Sequence, residues 1–190
     1  MRIISGKARG LKLYSLEGLE TRPTLDRVKE SLFNIIRNNI KDSNVLDLFA
    51  GTGSLGLECI SRGAKSVTFC DYNKKAIDII NKNILKAKFE EKSQVINKDY
   101  IKCLEILKNN KYDIIFIDPP YDSDLAVKAL ELVFKVDILE KDGIIVVETD
   151  DEETLFERIE KIDTNVKEHI EIKNMKKYGR IKLIFINRKG

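Results

Sequence analysis

The sequence lacks tryptophan and is poor in three other residue types, with one histidine, three prolines and three cysteines among 190 residues. Cys59, Cys70 and Cys103 are far apart and form no CxxC pattern, which favours reduced core residues over disulfides or zinc ligands. With so few histidines and cysteines, no metal site is expected. No apolar run approaches the ~18 residues of a membrane span, and the first ten residues contain no apolar segment typical of a secretion signal. These absences predict a cytoplasmic protein without membrane contact.

Charge is distributed unevenly along a chain whose net charge is only +3. Residues 1–41 contain nine Lys and Arg against four Asp and Glu, and residues 171–190 contain seven against one. Basic ends on an acidic middle favour a polyanionic partner, although lysine-rich surfaces are often merely solvated. The length suits a single domain spanning residues 1–190, with residues 1–41 as a basic N-terminal extension.

Hydrophobic periodicity predicts an alternation of strands and helices. Residues 2–14 are expected to form a β-hairpin, and a helix capped by Thr24 or Asp26 is expected over 26–38. The strands are then predicted at 44–49, 66–71, 93–97, 112–118, 143–148, 166–172 and 180–187. The intervening helices are predicted from the glycine-rich turn to about 62 and at 73–87, 99–108, 123–135 and 151–161. This order predicts one doubly wound, mainly parallel seven-stranded α/β sheet with an antiparallel C-terminal edge hairpin.

The first strand ends in a segment that predicts a cofactor site, because ligands bind beyond the carboxyl ends of strands in such sheets. Gly51 and Gly53 permit a tight turn that a ligand can approach closely, and free N–H groups at a helix start can donate to an acidic group. Together with Gly56 they also fit the dinucleotide fingerprint. Asp47 distinguishes the two interpretations: its carboxylate would oppose a pyrophosphate but suits the cationic amino-acid end of S-adenosylmethionine. The alternative is that Asp47 only bonds turn amides.

Two further acids follow the next strands. Asp71 could accept both ribose hydroxyls, and Asp99 could reach the adenine amino group or simply cap the following helix. The predicted residues for S-adenosylmethionine binding are Asp47, Phe49, Ala50, Gly51, Thr52, Gly53, Asp71, Tyr72, Asp99 and Tyr100.

The tetrapeptide formed by Asp118, Pro119, Pro120 and Tyr121 follows the fourth strand and predicts the reaction site. The prolines fix φ and remove two N–H donors, so the Asp118 side chain and the Pro119 carbonyl can both accept hydrogen bonds from one amino group. Tyr121 offers a flat face on which a base can stack. Two fixed acceptors would orient an exocyclic amine and stabilise the positive charge that develops as a methyl group arrives.

Together these segments match the amino-methyltransferase superfamily and more closely resemble the RsmD family of guanine-N2 methyltransferases for 16S ribosomal RNA. The similar stretches are residues 1–13, 21–24, 33–34, 46–58, 61–64 and 113–121, with a weaker one at 178–179. The stretches at 21–24 and 61–64 are not required for S-adenosylmethionine binding in general, so they indicate this family rather than its superfamily.

The resemblance implies methyl transfer from S-adenosylmethionine to a guanine N2 in 16S ribosomal RNA, within a partly assembled small subunit. The residues expected to contact RNA are Lys7, Arg9, Lys12, Arg22, Thr24 and Arg27, although Arg22 could instead brace the turn at Pro23. Lysines near 173–182 could extend this contact or protect an edge hairpin. A monomer is expected.

Three rival interpretations remain open on the sequence alone. The same chemistry could act on adenine or cytosine in DNA, or on a protein glutamine. A nicotinamide oxidoreductase would use the glycine pattern and Asp71 but would leave Asp47 and the Asp-Pro-Pro-Tyr tetrapeptide unexplained. A non-catalytic RNA-binding assembly factor would not need the complete tetrapeptide.

Overall fold

A computed structural model describes residues 1–15, 23–120 and 123–190. The strands are β1 (Asn44–Asp47), β2 (Ser66–Asp71), β3 (Ser93–Asn97), β4 (Tyr112–Ile117), β5 (Leu139–Thr149), β6 (Ile170–Tyr178) and β7 (Ile181–Arg188). They form one sheet in the order β3-β2-β1-β4-β5-β7-β6. β7 runs antiparallel to both of its neighbours, whereas the pairs from β3 to β5 are parallel. The predicted mainly parallel sheet with an antiparallel edge hairpin is confirmed.

The helices connect the strands across both faces of the sheet. They are α1 (Pro23–Ile35), α2 (Arg37–Ile40), α3 (Ser54–Ser61), α4 (Lys74–Ala87), α5 (Tyr100–Leu107), α6 (Ser123–Lys135), α7 (Glu152–Ile159) and α8 (Thr164–Lys167), with a 3₁₀ turn at Glu90–Lys92. No helix in the described parts of the chain is long and apolar enough to cross a membrane.

Alternation along the strands divides the core into two layers. Phe116 and Val146 pack with residues of α1, α3 and α4 on one face, which we call the α1 face. Ile117 and Val147 pack with residues of α5, α6 and α7 on the opposite face. Because side chains alternate along a strand, the residue that follows Ile117 is directed toward the α1 face.

The N-terminal segment does not form the predicted hairpin of two regular strands. Arg2 and Lys12 form a single antiparallel bridge, and residues 5–10 turn back onto the C-terminal end of α3. The Lys7 amide donates to the Ser61 carbonyl at 2.8 Å, and the Ser61 hydroxyl donates to the Ser5 carbonyl at 2.6 Å. Bonds to the neighbouring helix therefore replace the ladder that a hairpin would have formed.

Several other boundaries differ from the sequence prediction. The helix expected over 26–38 begins at Pro23 and is interrupted at Ile36, so neither Thr24 nor Asp26 is its cap. β5 begins at Leu139, earlier than predicted, and the expected strand at 166–172 is wrong because Thr164–Lys167 is a helical turn and β6 begins at Ile170. β6 runs on to Tyr178, beyond the predicted end at residue 172.

Candidate active site

The carboxyl ends of β1, β2, β4 and β5 each carry an acidic side chain at one edge of the sheet. β1 ends with Asp47 and β2 with Asp71, Asp118 follows β4, and Glu148 lies one residue before the end of β5. Asp47 is buried, whereas the other three are half-buried. The parallel strands therefore bring together three of the predicted site acids and one, Glu148, that is not among the predicted site residues.

The glycine-rich turn between β1 and α3 is built by glycines with different constraints. Gly51 and Gly53 have φ values of +55° and +77°, a region that L side chains rarely adopt. A Cβ atom at Gly51 would meet no atom within 4 Å, whereas one at Gly56 would lie 2.3 Å from the Phe69 ring. Gly56 is thus needed for packing against β2, and the backbone at Gly51 is open to a ligand.

Asp47 is bonded to the first turn of α3. The Gly56 amide donates to its Oδ2 at 3.1 Å, which is the turn-bonding interpretation of this residue. Burial raises the pKa of Asp47 to about 7, a net value that includes the lowering effect of the Gly56 bond and the raising effect of the Asp71 charge. A cation placed beside Asp47 would offset this cost of ionisation, so the structural bond leaves the predicted ligand role available.

Asp71 connects β2 to the glycine-rich turn. Its Oδ2 accepts from the Gly51 amide at 2.9 Å and its Oδ1 from the Asn73 amide at 2.8 Å. A carboxylate oxygen can accept more than one hydrogen bond, so ribose hydroxyls could share these oxygens. The carboxylate is held in one orientation before any ligand binds.

Asp99 is the N-cap of α5. Its side chain accepts from the Lys102 amide at 3.0 Å, and it is exposed. Next to it, the Tyr100 ring lies 5.8 Å from the Phe49 ring, centroid to centroid, while Tyr72 is 69% exposed. The capping role of Asp99 is observed, and its contact with adenine remains a prediction.

The Asp118 side chain has no partner among the residues that the structure describes. It accepts no hydrogen bond and forms no ion pair with residues in the described ranges. Burial and the charges of Glu148 and Asp47 raise its pKa well above the ordinary value. Pro119 is buried, Pro120 is exposed, and the Pro119 carbonyl accepts no hydrogen bond from residues in those same ranges. Two acceptors at the end of β4 thus have no partner in the described part of the chain, and Tyr121 lies outside that part.

The basic N-terminal arm (residues 1–15) is fixed on the α1 face through Glu58, which sequence reasoning missed. Glu58 is fully buried and accepts from the Ile4 and Ser5 amides at 2.8 and 3.0 Å. It also pairs with Lys29 at 3.2 Å and with Arg62 at 2.7 Å. The stretch 61–64, which resembles the RsmD family, thus includes residues that anchor the arm.

A second anchor joins the arm to the cofactor turn. The Asn83 side chain is buried, accepts from the Tyr14 amide at 2.7 Å and donates to the carbonyls of Tyr14 and Thr52, both at 3.0 Å. The end of the arm and the glycine-rich turn are therefore linked through a single amide group of α4.

The basic residues expected to contact RNA lie mostly on this arm. Lys7, Arg9 and Lys12 are exposed, as is Arg27 on α1. Arg22 lies outside the described residues, and of Thr24 only the backbone is described. On the C-terminal hairpin, Lys177 and Lys182 pair with Glu152 at 2.6 and 2.9 Å, so part of the basic charge there is neutralised within the protein.

Among the described residues, no group of three or more His, Cys, Asp or Glu side chains could hold a metal ion. Cys59, Cys70 and Cys103 are free and buried.

Comparison with known proteins adds a family and close structural relatives. A family model described as Conserved hypothetical protein 95 matches residues 1–187. Ribosomal RNA small subunit methyltransferase D of Haemophilus influenzae is 41% identical over 158 residues, 82% of each chain. The Bacillus subtilis protein YlbH is 38% identical over 161 residues, 84% of this chain and 88% of its own. The solved structure of Escherichia coli yhhF has a TM-score of 0.84 at 31% identity, covering 100% of this chain and 98% of its own.

Proposed function

The chain belongs to the family described as Conserved hypothetical protein 95, and from that premise we propose that it transfers a methyl group from S-adenosylmethionine to the exocyclic N2 of a guanine in 16S ribosomal RNA. Its relatives at 35–41% identity include several named Ribosomal RNA small subunit methyltransferase D, which confirms the resemblance to the RsmD family. The protein is a methyltransferase. The guanine N2 acceptor and the roles of individual residues are our proposals.

The pair of unpartnered acceptors after β4 is the observation that carries the proposal. An amino group on a base is a poor nucleophile because its lone pair is delocalised into the ring. The Asp118 carboxylate and the Pro119 carbonyl would hold the two N–H bonds, orient the lone pair and stabilise the positive charge that develops on nitrogen. Asp118 can then take the proton, or the proton can leave to solvent after transfer.

The cofactor would lie across the glycine-rich turn. When bound, S-adenosylmethionine supplies an electrophilic methyl group on a sulfonium. The open approach at Gly51 and the charge preference of buried Asp47 fit its cationic amino-acid end, and the oriented carboxylate of Asp71 fits its ribose. Asp99 would face adenine. The other residues that would complete the site are Phe49, Ala50, Thr52, Gly53, Tyr72 and Tyr100.

The substrate would be RNA in a partly assembled small subunit, bound by a monomer of this protein. The residues that would contact the phosphates of the RNA are Lys7, Arg9, Lys12, Arg22, Thr24 and Arg27. The guanine N2 lies on the pairing edge of the base, so the target must be unpaired or flipped outward to reach Asp118. Pro120 and Tyr121 would flank the base, with Tyr121 stacking on it.

Label transfer from tritiated S-adenosylmethionine tests this proposal. The protein would be offered unmodified small-subunit RNA, assembled small subunits, DNA and protein, and the nucleosides would be separated afterwards. We expect label in N2-methylguanosine, with assembled subunits as the better substrate. Label in N6-methyladenosine, in a methylated cytosine or in protein glutamine would overturn the proposed acceptor while retaining the cofactor.

A further inference from the structure

Glu148 occupies the strand position next to Asp118. β4 and β5 pair in parallel, with Ile117 opposite Val147, so Asp118 and Glu148 follow in register on neighbouring strands. Phe116 and Val146, two residues earlier on each strand, both pack on the α1 face. Because side chains alternate and paired strands lie about 4.8 Å apart, the two carboxyl groups lie side by side on that same face.

Both side-chain carboxyl groups lack a hydrogen-bond partner in the described part of the chain. Within residues 1–15, 23–120 and 123–190, no hydrogen bond or ion pair involves the side-chain oxygens of Glu148 or Asp118. No buried side-chain oxygen in these ranges lacks a partner, so the oxygens of both groups open onto accessible space. Burial raises the pKa of both groups, and the charge of Glu148 adds to the rise at Asp118. Two adjacent acceptors of this kind fit a ligand with two adjacent N–H donors.

We propose that Glu148 determines the choice of base by accepting the N1–H of guanine while Asp118 accepts from the N2 amine. This inference rests on the proposed function and adds the group that distinguishes guanine from the other amino-bearing bases. In guanine the ring nitrogen N1 beside the amine carries a hydrogen. In adenine and cytosine the ring nitrogen beside the amine is an acceptor, which would face the Glu148 carboxylate without a hydrogen between them.

The proposed chemistry at Asp118 does not by itself require Glu148. Asp118 and the Pro119 carbonyl already provide the two acceptors for any exocyclic amine. Glu148 is the additional acceptor, and it lies on the side of Asp118 away from β1. A third acceptor finds a partner only on a base that has another N–H donor beside its amine, as guanine has at N1.

A base analogue separates this role from a general structural one. The test uses small subunits rebuilt with RNA in which the methylated guanine is replaced by 2-aminopurine, which keeps the amine but has an unprotonated N1. The wild-type protein should methylate guanine at least about tenfold faster than 2-aminopurine under kcat/KM conditions, as expected when the substrate offers no donor to the Glu148 acceptor. Glu148→Gln should lower the guanine rate and narrow this ratio at least about fivefold, because an amide can donate to the unprotonated N1.

Glu157→Gln on α7 is the matched control, because it makes the same chemical change at an exposed position. It should leave both rates and their ratio unchanged. An unchanged ratio in Glu148→Gln, or equal wild-type rates on the two bases, would overturn the role of Glu148. The wild-type comparison needs no variant and therefore stands even if Glu148→Gln folds poorly. If the wild-type protein makes no N2-methylguanosine on unmodified subunits, the proposed function fails instead.

Discussion

Asp47 combines near-complete burial with one hydrogen bond, from the amide of Gly56. A carboxylate in such a place is costly to ionise, and its pKa rises to about 7. A neutral carboxyl there would serve packing alone, whereas an ionised one has a strong preference for a nearby cation. Binding of a cationic ligand should therefore be linked to the loss of a proton from Asp47.

The affinity for S-adenosylmethionine should consequently depend on pH. Below the pKa of Asp47 the proton must be displaced before the ammonium group can pair with the carboxylate, so affinity rises as pH increases. Between pH 6 and pH 7.5 the ionised fraction of a group with a pKa of about 7 rises about eightfold, and the Kd measured by calorimetry should fall by a similar factor.

Asp47→Asn is the control for this linkage, because its side-chain oxygen can still accept from the Gly56 amide. This variant should bind more weakly and show no pH dependence over the same range. A wild-type Kd that is constant from pH 6 to pH 7.5 would show that Asp47 only bonds the turn of α3.

At the residue scale, the sequence predicts which residues lie at the site better than it predicts their hydrogen-bond partners. Asp47, Asp71 and Asp118 are predictable because each carboxylate ends an apolar strand, and Glu148 in the segment GIIVVE carries the same signal, which the sequence prediction missed. The two hydrogen bonds that Asp71 accepts from the amides of Gly51 and Asn73 are not predictable, because they depend on how the glycine-rich turn folds back over β2.

At the scale of elements, the basic N-terminal arm and α3 form one unit. Gly6 has a φ of +82°, and a Cβ atom there would lie 1.9 Å from the Ser61 carbonyl oxygen. Gly10 has a similar φ of +86°, yet a Cβ atom there would meet nothing within 4 Å. Substitutions at the two glycines therefore distinguish the effect of backbone strain from the effect of close contact between the arm and α3.

Gly6→Ala should displace the arm from α3, whereas Gly10→Ala should not. Gly10→Ala should lower the free energy of unfolding by about 1 kcal/mol, because alanine must adopt a positive φ. Gly6→Ala should lower it by the same amount and by about 1–3 kcal/mol more, because its Cβ atom would be overpacked against Ser61. Urea unfolding measures the two free energies of unfolding. Hydrogen exchange should show reduced protection of the Ile4, Ser5 and Lys7 amides in Gly6→Ala only, and equal behaviour of the two variants would contradict the docking of the arm on Ser61.

Strand boundaries follow the sequence most closely where turns or helix caps bound the strand on both sides. β2 and β3 match the prediction, although β3 lies at one edge of the sheet, because the helix N-caps Asn73 and Asp99 follow them closely. The prediction for β6 is wrong because it is an edge strand whose lysines at 173, 176 and 177 obscure the alternation, and because Val166 fits a strand pattern although it belongs to a helical turn. The N-terminal hairpin is reduced to one bridge because Glu58 and Ser61 bond the backbone groups of residues 4–8.

At the scale of the whole molecule, the arm lies on the face of the sheet toward which Asp118 is directed. Lys7, Arg9 and Lys12 are exposed on the arm, and Asn83 joins its end to the carbonyl of Thr52 beside the cofactor turn. A polyanion bound along the arm would therefore extend from the C-terminal end of α3, where Lys7 lies, toward the cofactor turn. Such contacts release counterions, so they make binding dependent on salt.

Replacing Lys7, Arg9 and Lys12 together with alanine should weaken RNA binding without changing the affinity for S-adenosylmethionine. The slope of log K against log salt should decrease in magnitude by about 2–3, since each phosphate that the protein no longer neutralises accounts for about 0.7–0.9 of the slope. Filter binding at several salt concentrations measures this slope.

The matched control replaces Lys108, Lys141 and Lys161, which are likewise exposed but lie outside the arm. This triple variant removes the same net charge and should leave the slope nearly unchanged. Equal slopes in the two triple variants would place the RNA somewhere other than on the arm.

Asp118 is proposed to hold the amine that receives the methyl group, and one measurement tests this role most directly. Label transfer from tritiated S-adenosylmethionine to small subunits would be compared between the wild-type protein and Asp118→Ala, with cofactor affinity measured for both. We expect N2-methylguanosine formation to fall by about 10²–10³ in kcat while the Kd for S-adenosylmethionine changes little. Unchanged methylation in Asp118→Ala would contradict this role, because the acceptor pair after β4 would then have no part in the reaction.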